Sequence, residues 1–347
     1  MNAATPSRSP AADGIIGLGI ESSCDETSVS VVVDGREILS NEIYSQISEH
    51  APYHGVVPEI ASRSHLLKIN SVYESALQKA GVSIEDVAYC AVTSRPGLTG
   101  SLMIGAQLAR CLHLVHSIPI VTVDHIESHM YAVFLEGKQV EYPFLGLLLS
   151  GGNSAIFLVH GPEQMERLAT TMDDALGEAF DKAASVLGLA YPGGPQVEKL
   201  ALQYAQKNPN AASARCIFPR ILRDLPAERM AFSFSGIKTA VLQAAAERDP
   251  ELICFDFQRT TFELVTRMLK RAVQSTGIKR IVASGGVLSS GSLRTALEES
   301  AERDWNLVYP VDRKLCTDNA AMVASLGYRL FEKGNRNPLD FAVSSRR

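Results

Sequence analysis

Two histidines with helical spacing are the side chains of this sequence that are best arranged to share a metal ion. The segment VDHIESHMYA places His125 and His129 at positions i and i+4. Side chains with this spacing lie on one face of an α-helix, so both imidazoles could reach the same ion. Glu127 lies between them, whereas the zinc-protease pattern H-E-x-x-H places its acid directly after the first histidine. The spacing therefore indicates either a metal site that needs a third protein ligand, or two ordinary helix histidines.

A candidate for the third ligand occurs late in the chain, in the segment LCTDNAAMVASLG. Asp318 and Asn319 stand at the start of a predicted helix, where an aspartate could simply cap the helix. As a ligand, Asp318 would instead complete a His-His-Asp site that leaves coordination positions open to water or a substrate oxygen. The sequence leaves both roles open.

A turn rich in hydroxyl groups and acids follows the first apolar segment, in GIESSCDET. Its hydroxyls and backbone N–H groups could hold phosphate oxygens. The carboxylates of Asp25 and Glu26 could polarise an attacking group or hold a metal-bound water. The alternative is a plain acidic hairpin loop, and the loop alone does not decide between the two.

Glycine-rich turns follow apolar segments in the second half of the chain, in LLSGGNSAIF, AYPGGP and VASGGVLSSGSLR. A glycine lets the backbone approach a phosphate closely, and a helix that begins after the turn adds free N–H groups. Between the first two turns, Asp174, Glu178 and Asp181 have the spacing of one helix face. These acids indicate either a nucleotide-binding wall or a solvated acidic stripe, and the neighbouring glycine turn favours the wall.

The elements that must position these residues are predicted to form two similar cycles. Two apolar strands and an Asp-Gly hairpin signal open the first cycle, and a buried strand with a returning strand opens the second. Both cycles follow a β-β-β-α-β-α-β-α pattern, which predicts an α/β protein with two lobes of the actin-like ATPase, sugar-kinase and Hsp70 type. The predicted helices lie near residues 58–80, 100–116, 174–188, 194–206 and 251–278. We expect a disordered tail over 1–14, an N-terminal lobe over 15–124, a C-terminal lobe over 125–315, and a helix and tail over 316–347 that return toward the N-terminal lobe.

The length and composition are typical of a globular protein that is large enough for two hydrophobic cores. The chain has 347 residues, of which 46% are hydrophobic and 20% charged. It has no apolar run of the roughly 18 to 20 residues that a membrane span needs, and its opening segment lacks the features of a targeting signal, so we expect a cytoplasmic protein. Its six cysteines show no paired spacing, which argues against both a disulfide framework and a thiolate zinc site. With a net charge of -5, binding to nucleic acid would need partner proteins or a local basic patch, for which Arg215, Arg220 and Arg223 are candidates if they are not simply solvated.

Taken together, the motifs resemble one family, the tRNA N6-adenosine threonylcarbamoyltransferases, which are the TsaD proteins of bacteria and their archaeal and eukaryotic counterparts. The matching segments run in the family's order from about residue 15 to residue 327. They are GIESSCDET, HGVVPEIASRSHL, SRPGLTGSLMIGAQLAR, DHIESHMYA, LLSGG, DDALGEAFDKAASVLGLAYPGGP, FSFSGIKTAV, GGV and CTDNAAM.

The resemblance implies an enzyme that transfers a threonylcarbamoyl group from threonylcarbamoyl-AMP to N6 of the adenosine just 3′ of the anticodon, in tRNAs reading codons that begin with A. It implies one divalent metal ion per subunit, with iron expected and zinc as the alternative, held by His125, His129 and Asp318. Asp25 and Glu26 fall where the family has acids near the reacting group, and we expect one of them to accept a proton. The implied partners are tRNA, an inactive paralogue of the TsaB type and a small P-loop ATPase of the TsaE type. The implied substrate-binding positions are Leu148, Leu149, Ser150, Gly151, Gly152, Asp181, Gly194, Glu198 and Ser290.

Two residues depart from the family pattern, and they leave room for other activities. Asn153 stands where the family usually has histidine, and it cannot donate a proton at neutral pH. Ser290 stands where the family usually has asparagine, and it cannot present a paired donor and acceptor to an adenine edge. The alternatives are a metalloendopeptidase, which the H-x-E-x-H order disfavours, and a diverged non-catalytic or phosphotransferase member of the same fold.

Overall fold

A computed structural model describes residues 14–53, 55–226 and 228–346 of the chain. The tail predicted over residues 1–14 lies outside the described residues except for Gly14. The chain divides into two compact units. Unit 1 contains the chain up to Lys138 together with the chain from Asp318 onward, and unit 2 is Gln139–Thr317.

The sheet of unit 1 has five strands in the order β3-β2-β1-β4-β5. The first three strands pair antiparallel, whereas β4 and β5 run parallel to β1. Apolar residues fill the middle strands because both faces of the sheet are covered. The strands are β1 Ile16–Glu21, β2 Glu26–Val33, β3 Glu37–Ser45, β4 Tyr89–Arg95 and β5 Ile120–Asp124.

Alternate residues of β1 face different helices of unit 1. Leu18 and Ile20 lie in a core that includes residues of α2 and α3, whereas Gly19 points to the start of α10. A Cβ at Gly19 would lie 2.1 Å from the carbonyl oxygen of Ala320, so only glycine lets α10 come this close to the sheet. The helices are α1 Ile47–His50, α2 Pro58–Ala80, α3 Thr99–His116, α4 His125–Tyr131 and α10 Ala320–Glu332.

The boundary between the two units lies after Lys138 and not after Asp124, where the sequence analysis ended the first lobe. Helix α4 belongs to unit 1 because it packs on α10, and Ser325 of α10 donates a hydrogen bond to the carbonyl oxygen of Tyr131 at 3.4 Å. The packing of α4 on α10 therefore decides the unit to which α4 belongs.

Unit 2 repeats the sheet of unit 1. Its strands have the order β8-β7-β6-β9-β10, with β6, β7 and β8 antiparallel and β9 and β10 parallel to β6. The predicted duplication is thus confirmed at the level of strand order. The strands are β6 Phe144–Leu149, β7 Ser154–Gly161, β8 Gln164–Thr170, β9 Arg280–Ser284 and β10 Asn306–Val308.

The helices of unit 2 differ from the prediction in two places. Helix α5 begins at Leu176, so Asp174 precedes it, and helix α7 was not predicted. Gly236 in its first turn has low helix propensity, which weakens the sequence signal for α7. The helices are α5 Leu176–Val186, α6 Gly193–Lys207, α7 Ser235–Ala245, α8 Pro250–Thr276 and α9 Gly291–Ser300. In the described part of the chain, no helix has both the length and the apolar character of a bilayer span.

Candidate metal centre and glycine-rich cavity

Helix α4 holds the two histidines of unit 1 side by side. Asp124 caps this helix, because its Oδ1 accepts a hydrogen bond from Glu127 N at 3.1 Å. The ring centroids of His125 and His129 are 4.8 Å apart with an interplanar angle of 81°. Both rings are buried, so the i and i+4 spacing presents two imidazoles to one enclosed point.

Asp318 faces the two histidines because another residue caps helix α10. Asn319 is the cap, and its Oδ1 accepts a hydrogen bond from Met322 N at 3.1 Å. The Asp318 carboxylate oxygens lie 3.6 Å from His125 Nε2 and 3.2 Å from His129 Nε2. One ligand atom from each of the three residues lies within 4.8 Å of the others. Of the two roles left open by the sequence, the geometry therefore favours the ligand over the cap.

The donor set fits a divalent metal ion. His129 is 1% exposed, and within the described residues its Nδ1 has no hydrogen-bond partner, while its Nε2 faces the Asp318 carboxylate at 3.2 Å. A bound ion would give the buried Nε2 and the carboxylate a shared partner. Two imidazoles and one carboxylate suit iron or zinc and leave coordination positions for other ligands.

The carboxylate of Asp318 and the imidazole of His125 shift each other's pKa in opposite directions. Burial lowers the pKa of His125, but the carboxylates of Asp318 and Glu21 outweigh burial and raise that pKa to about 9. Burial raises the pKa of Asp318, but His125 and His129 outweigh it and bring that pKa to about 2. Since metals bind neutral imidazole, an ion entering the site must displace a proton from His125.

Glu127 is not part of this cluster, although it lies between the histidines in the sequence. Among the described residues, the group able to share one ion consists of His125, His129 and Asp318. The side chain of Glu127 is buried, and its backbone N–H bonds the helix cap. The arrangement therefore lacks the glutamate of a zinc protease.

The loop with the two predicted catalytic acids is fixed by a buried histidine of helix α2. His65 Nε2 lies 3.0 Å from the carbonyl oxygen of Cys24, and its Nδ1 lies 2.7 Å from Thr27 Oγ1. Gln46 N donates to the carbonyl oxygen of Asp25 at 3.0 Å. The sequence analysis missed His65, because a single histidine in a long helix carries no spacing signal.

Asp25 and Glu26 form an asymmetric pair. Burial raises the pKa of Glu26 well above its usual range, and the carboxylates of Asp25 and Asp318 raise it further. Ser45 Oγ donates to Glu26 Oε1 at 3.4 Å, which only partly offsets these effects. Glu26 therefore keeps a proton at a higher pH than an ordinary glutamate does.

Unit 2 contains a cavity of about 360 Å³ between its glycine-rich turns. This volume lies in the range of small-molecule sites. The wall carries apolar side chains as well as polar ones, including Phe180, Pro192 and Val287. Five of the predicted substrate-binding residues line it: Gly151, Asp181, Gly194, Glu198 and Ser290.

The polar groups of the cavity are already held by the protein. Glu198 Oε1 accepts hydrogen bonds from Ser290 Oγ and from Ser292 N, both at 2.8 Å. Asp181 Oδ1 accepts one from Gly193 N at 2.7 Å, and burial raises the pKa of Asp181. These bonds pin the start of α9 and of α6 to the cavity wall.

The four remaining predicted substrate-binding residues are not among the residues that line this cavity. They are Leu148, Leu149, Ser150 and Gly152. Leu148 and Leu149 are not among the lining residues, because their side chains are fully buried in the sheet. Ser150 closes a turn in which its N–H bonds the carbonyl oxygen of Asn153 at 2.8 Å. Gly152 is exposed next to this turn, and Gly177 supports it, because a Cβ at Gly177 would lie 2.8 Å from Gly151 Cα.

The predicted acidic face of α5 does not exist as such. Lys182 Nζ lies 2.6 Å from Asp174 Oδ1 and 2.6 Å from Glu178 Oε1, so these two acids share one ammonium group. Asp181 is separate from them and lines the cavity. The prediction that all three acids share a face was wrong because α5 begins only after Asp174.

The basic patch proposed from the sequence has one member in an ion pair. Arg220 Nε lies 2.7 Å from Glu263 Oε1, while Arg215 and Arg223 are exposed. The patch remains a prediction.

Comparison with known proteins agrees with this geometry. A family model described as TsaD, tRNA N6-adenosine threonylcarbamoyltransferase, matches residues 37–325. A protein of that name from Leptospira interrogans is 54% identical over 337 residues, which are 96% of this chain and 98% of the relative. These matches include the cluster of unit 1 and the cavity of unit 2.

Solved structures show the same fold at low sequence identity. HypF from T. kodakarensis has a TM-score of 0.62 and 13% identity over 92% of this chain and 48% of its own. A ROK hexokinase from Thermus thermophilus has a TM-score of 0.50 and 14% identity over 92% of this chain and 99% of its own. The predicted sugar-kinase-like α/β fold is therefore confirmed. With the family model covering most of its length and a close relative matching it end to end, the chain belongs to the TsaD family of tRNA N6-adenosine threonylcarbamoyltransferases.

Proposed function

We propose that this protein transfers a threonylcarbamoyl group from threonylcarbamoyl-AMP to N6 of the adenosine that follows the anticodon in tRNAs reading codons that begin with A. The His125, His129 and Asp318 cluster is the observation that supports the proposal, because the three residues that the resemblance implies as metal ligands lie close enough together to share one ion. The nature of the donor and the tRNA position follow from the family resemblance.

The donor already contains the energy for the reaction. An adenylate is an activated mixed anhydride, so the protein must orient it, stabilise developing charge and remove a proton from the attacking amine. The cavity of unit 2 suits the adenylate part, because glycine turns expose backbone N–H groups and Glu198 and Asp181 offer polar contacts to a nucleoside.

His125, His129 and Asp318 would hold one divalent ion, with iron expected and zinc as the alternative. When bound, such an ion supplies Lewis acidity toward the carbamoyl oxygens of the donor. The buried histidines keep this position away from bulk water, which strengthens its electrostatic effect.

Asp25 is our choice for the proton acceptor. Glu26 keeps its proton to higher pH, because burial and the neighbouring carboxylates raise its pKa. Asp25 is then the member of the pair that takes the proton from N6 as the amine attacks. The His65 contacts to Cys24 and Thr27 hold the loop in place during this step.

The proposal extends to partners and location. An inactive paralogue of the TsaB type and a small P-loop ATPase of the TsaE type would assist with tRNA, since the chain itself is mildly acidic at -5. The reaction would take place in the cytoplasm, where tRNA is modified.

The test is incorporation of labelled threonine into unmodified tRNA. The purified protein is mixed with both partner proteins, an enzyme that makes the adenylate, ATP and bicarbonate. We expect threonine in the tRNA with the wild type, a loss of at least about 100-fold with Asp25→Asn, and a smaller loss with Glu26→Gln. No incorporation by the wild type, with partners that support a related transferase in a parallel reaction, would refute the proposed activity.

A further inference from the structure

A fully buried carboxylate lies at the end of the first strand of unit 1, beside the candidate metal centre. Glu21 is the last residue of β1, and it is 0% exposed. Its Oε2 lies 3.0 Å from His125 Nδ1 and accepts a hydrogen bond from Thr93 Oγ1 at 2.6 Å. Its Oε1 accepts a hydrogen bond from Ser23 N at 2.6 Å. A buried carboxylate that is fixed by this many donors is held in one orientation.

The contact with Glu21 decides which nitrogen of His125 is available. A carboxylate accepts a hydrogen bond, so Nδ1 carries the proton and the lone pair of the neutral ring lies on Nε2. Nε2 is the atom that faces Asp318 Oδ2, at 3.6 Å. Glu21 therefore turns the metal-binding nitrogen of His125 toward the other two ligands.

The two histidines differ in this respect. Among the described residues, His129 Nδ1 has no hydrogen-bond partner, whereas His125 Nδ1 has Glu21 and, at 3.2 Å, Ser23 Oγ. Only one of the two imidazoles is thus oriented by a charged group. Carboxylate partners of ligand histidines also raise the basicity of the ring and so strengthen metal binding.

We propose that Glu21 is a positioning residue that sets the tautomer and orientation of His125 for metal binding. This inference rests on the proposed metal centre. It predicts that Glu21 controls the affinity for the ion without touching the donor or the tRNA.

Substitution by glutamine is a sharp test because Glu21 acts only as an acceptor in its hydrogen bonds with Ser23, Thr93 and His125. If the amide nitrogen replaces Oε2, it faces the Thr93 and His125 donors, and His125 must move its proton to Nε2. If it replaces Oε1, it faces Ser23 N. Either orientation disturbs the site while the side-chain volume stays the same.

The experiment measures the dissociation constants of Fe²⁺, Zn²⁺ and Co²⁺ for the full-length protein by chelator competition. We expect Glu21→Gln to weaken binding by about 10- to 100-fold and to change the visible spectrum of the Co²⁺ form. Glu127→Gln is the matched control, because Glu127 is also buried next to the ligands but stands outside the cluster, and its affinity should equal that of the wild type. Glu21→Asp keeps the charge and should recover part of the metal affinity. It carries the test if thermal unfolding shows that Glu21→Gln folds poorly.

An affinity of folded Glu21→Gln and Glu21→Asp within about twofold of the wild type would overturn the role of Glu21 and leave the metal centre intact. A wild-type protein that binds none of the three ions would instead overturn the metal centre, and the inference with it.

Discussion

The hydroxyl of Ser290 donates a hydrogen bond to Glu198 Oε1 at 2.8 Å, and the same hydroxyl caps helix α9 by accepting one from Leu293 N at 3.2 Å. The single hydrogen of this hydroxyl, at a position where the family resemblance implies asparagine, is therefore used within the cavity wall. The hydroxyl oxygen keeps one acceptor lone pair for a ligand, and the side chain has no second donor.

Restoring the family residue at this position should strengthen nucleotide binding. In Ser290→Asn, the amide can still cap α9 through its oxygen, and its NH₂ group reaches further into the cavity. We expect AMP to bind up to about tenfold more tightly in isothermal titration. Ser290→Ala is the control, which should lower the free energy of unfolding by about 1 kcal/mol through the lost cap. Equal AMP affinity in the wild type and Ser290→Asn would contradict the prediction.

The glycines around the cavity should differ in how substitution by alanine changes the stability of the protein and its affinity for AMP. Gly177→Ala would place a Cβ 2.8 Å from Gly151 Cα, so the Ser150–Gly152 turn must shift and both stability and AMP affinity should fall. Gly194→Ala, in the first turn of α6, has no protein atom within 4 Å of its Cβ, so it should stabilise by about 0.5–1 kcal/mol while its methyl group changes AMP binding at the cavity wall. The control Gly236→Ala lies in helix α7 with open space around it and should stabilise by about 0.5–1 kcal/mol. Urea unfolding with parallel titrations measures these effects, and a stable Gly177→Ala with normal affinity would count against the packing argument.

Adjacent residues at the start of α10 should separate metal binding from helix capping. Asp318→Ala should abolish bound metal while the helix keeps its cap, because the cap belongs to Asn319. Asn319→Ala should lower the free energy of unfolding by about 0.5–2 kcal/mol and retain the ion. Elemental analysis of both variants measures the bound metal, and thermal unfolding measures the loss of the helix cap. If Asn319→Ala lost the metal as readily as Asp318→Ala, the division of roles would be wrong.

Asp173 should contribute a stability that depends on pH. It accepts hydrogen bonds from the backbone N–H of Phe234 at 2.7 Å and from the hydroxyls of Ser233 and Ser235 at 2.6 and 2.7 Å. Burial raises the pKa of Asp173, but these bonds outweigh it and lower the pKa below its usual value. The pKa of Asp173 is therefore lower in the folded state than in the unfolded state. The stabilisation is present above the pKa of the unfolded state, and it is lost as the pH falls through the pKa of the folded state.

The substitution Asp173→Asn tests this sign. It should lower the free energy of unfolding at pH 7, and the difference from the wild type should narrow as the pH is reduced below about 5. Urea unfolding across pH 3 to 8 measures the difference. A gap that stayed constant or widened in acid would show that the charge of Asp173 is not responsible.

Several residues show what the sequence could and could not reveal. The spacing of His125 and His129 predicted that the two imidazoles share a helix face, but it left open whether they are metal ligands or ordinary helix histidines. Asp318 remained ambiguous until the structure showed Asn319 as the cap. Glu21 was invisible because it ends an apolar strand, and only the fold brings the end of β1 to Nδ1 of His125.

In unit 2, the glycine turns predicted the cavity, but the side chains around it were harder to assign. Leu148 and Leu149 follow the family pattern, yet their side chains lie in the sheet, since alternation along a fully covered strand buries both faces. Asp173 stood outside every sequence prediction, and its partners come from residues 233–235. Contacts of this kind depend on long-range packing, which local sequence patterns do not encode.

The close approach of α10 to Gly19 also sets the order in which the metal centre can form during synthesis. His125 and His129 leave the ribosome with the first part of unit 1, but Asp318 follows only after all of unit 2 has been made. Until helix α10 docks against β1, a nascent chain offers an ion two imidazoles at most. If the three residues bind an ion as proposed, the complete three-ligand site would exist only after both halves of the polypeptide have been made.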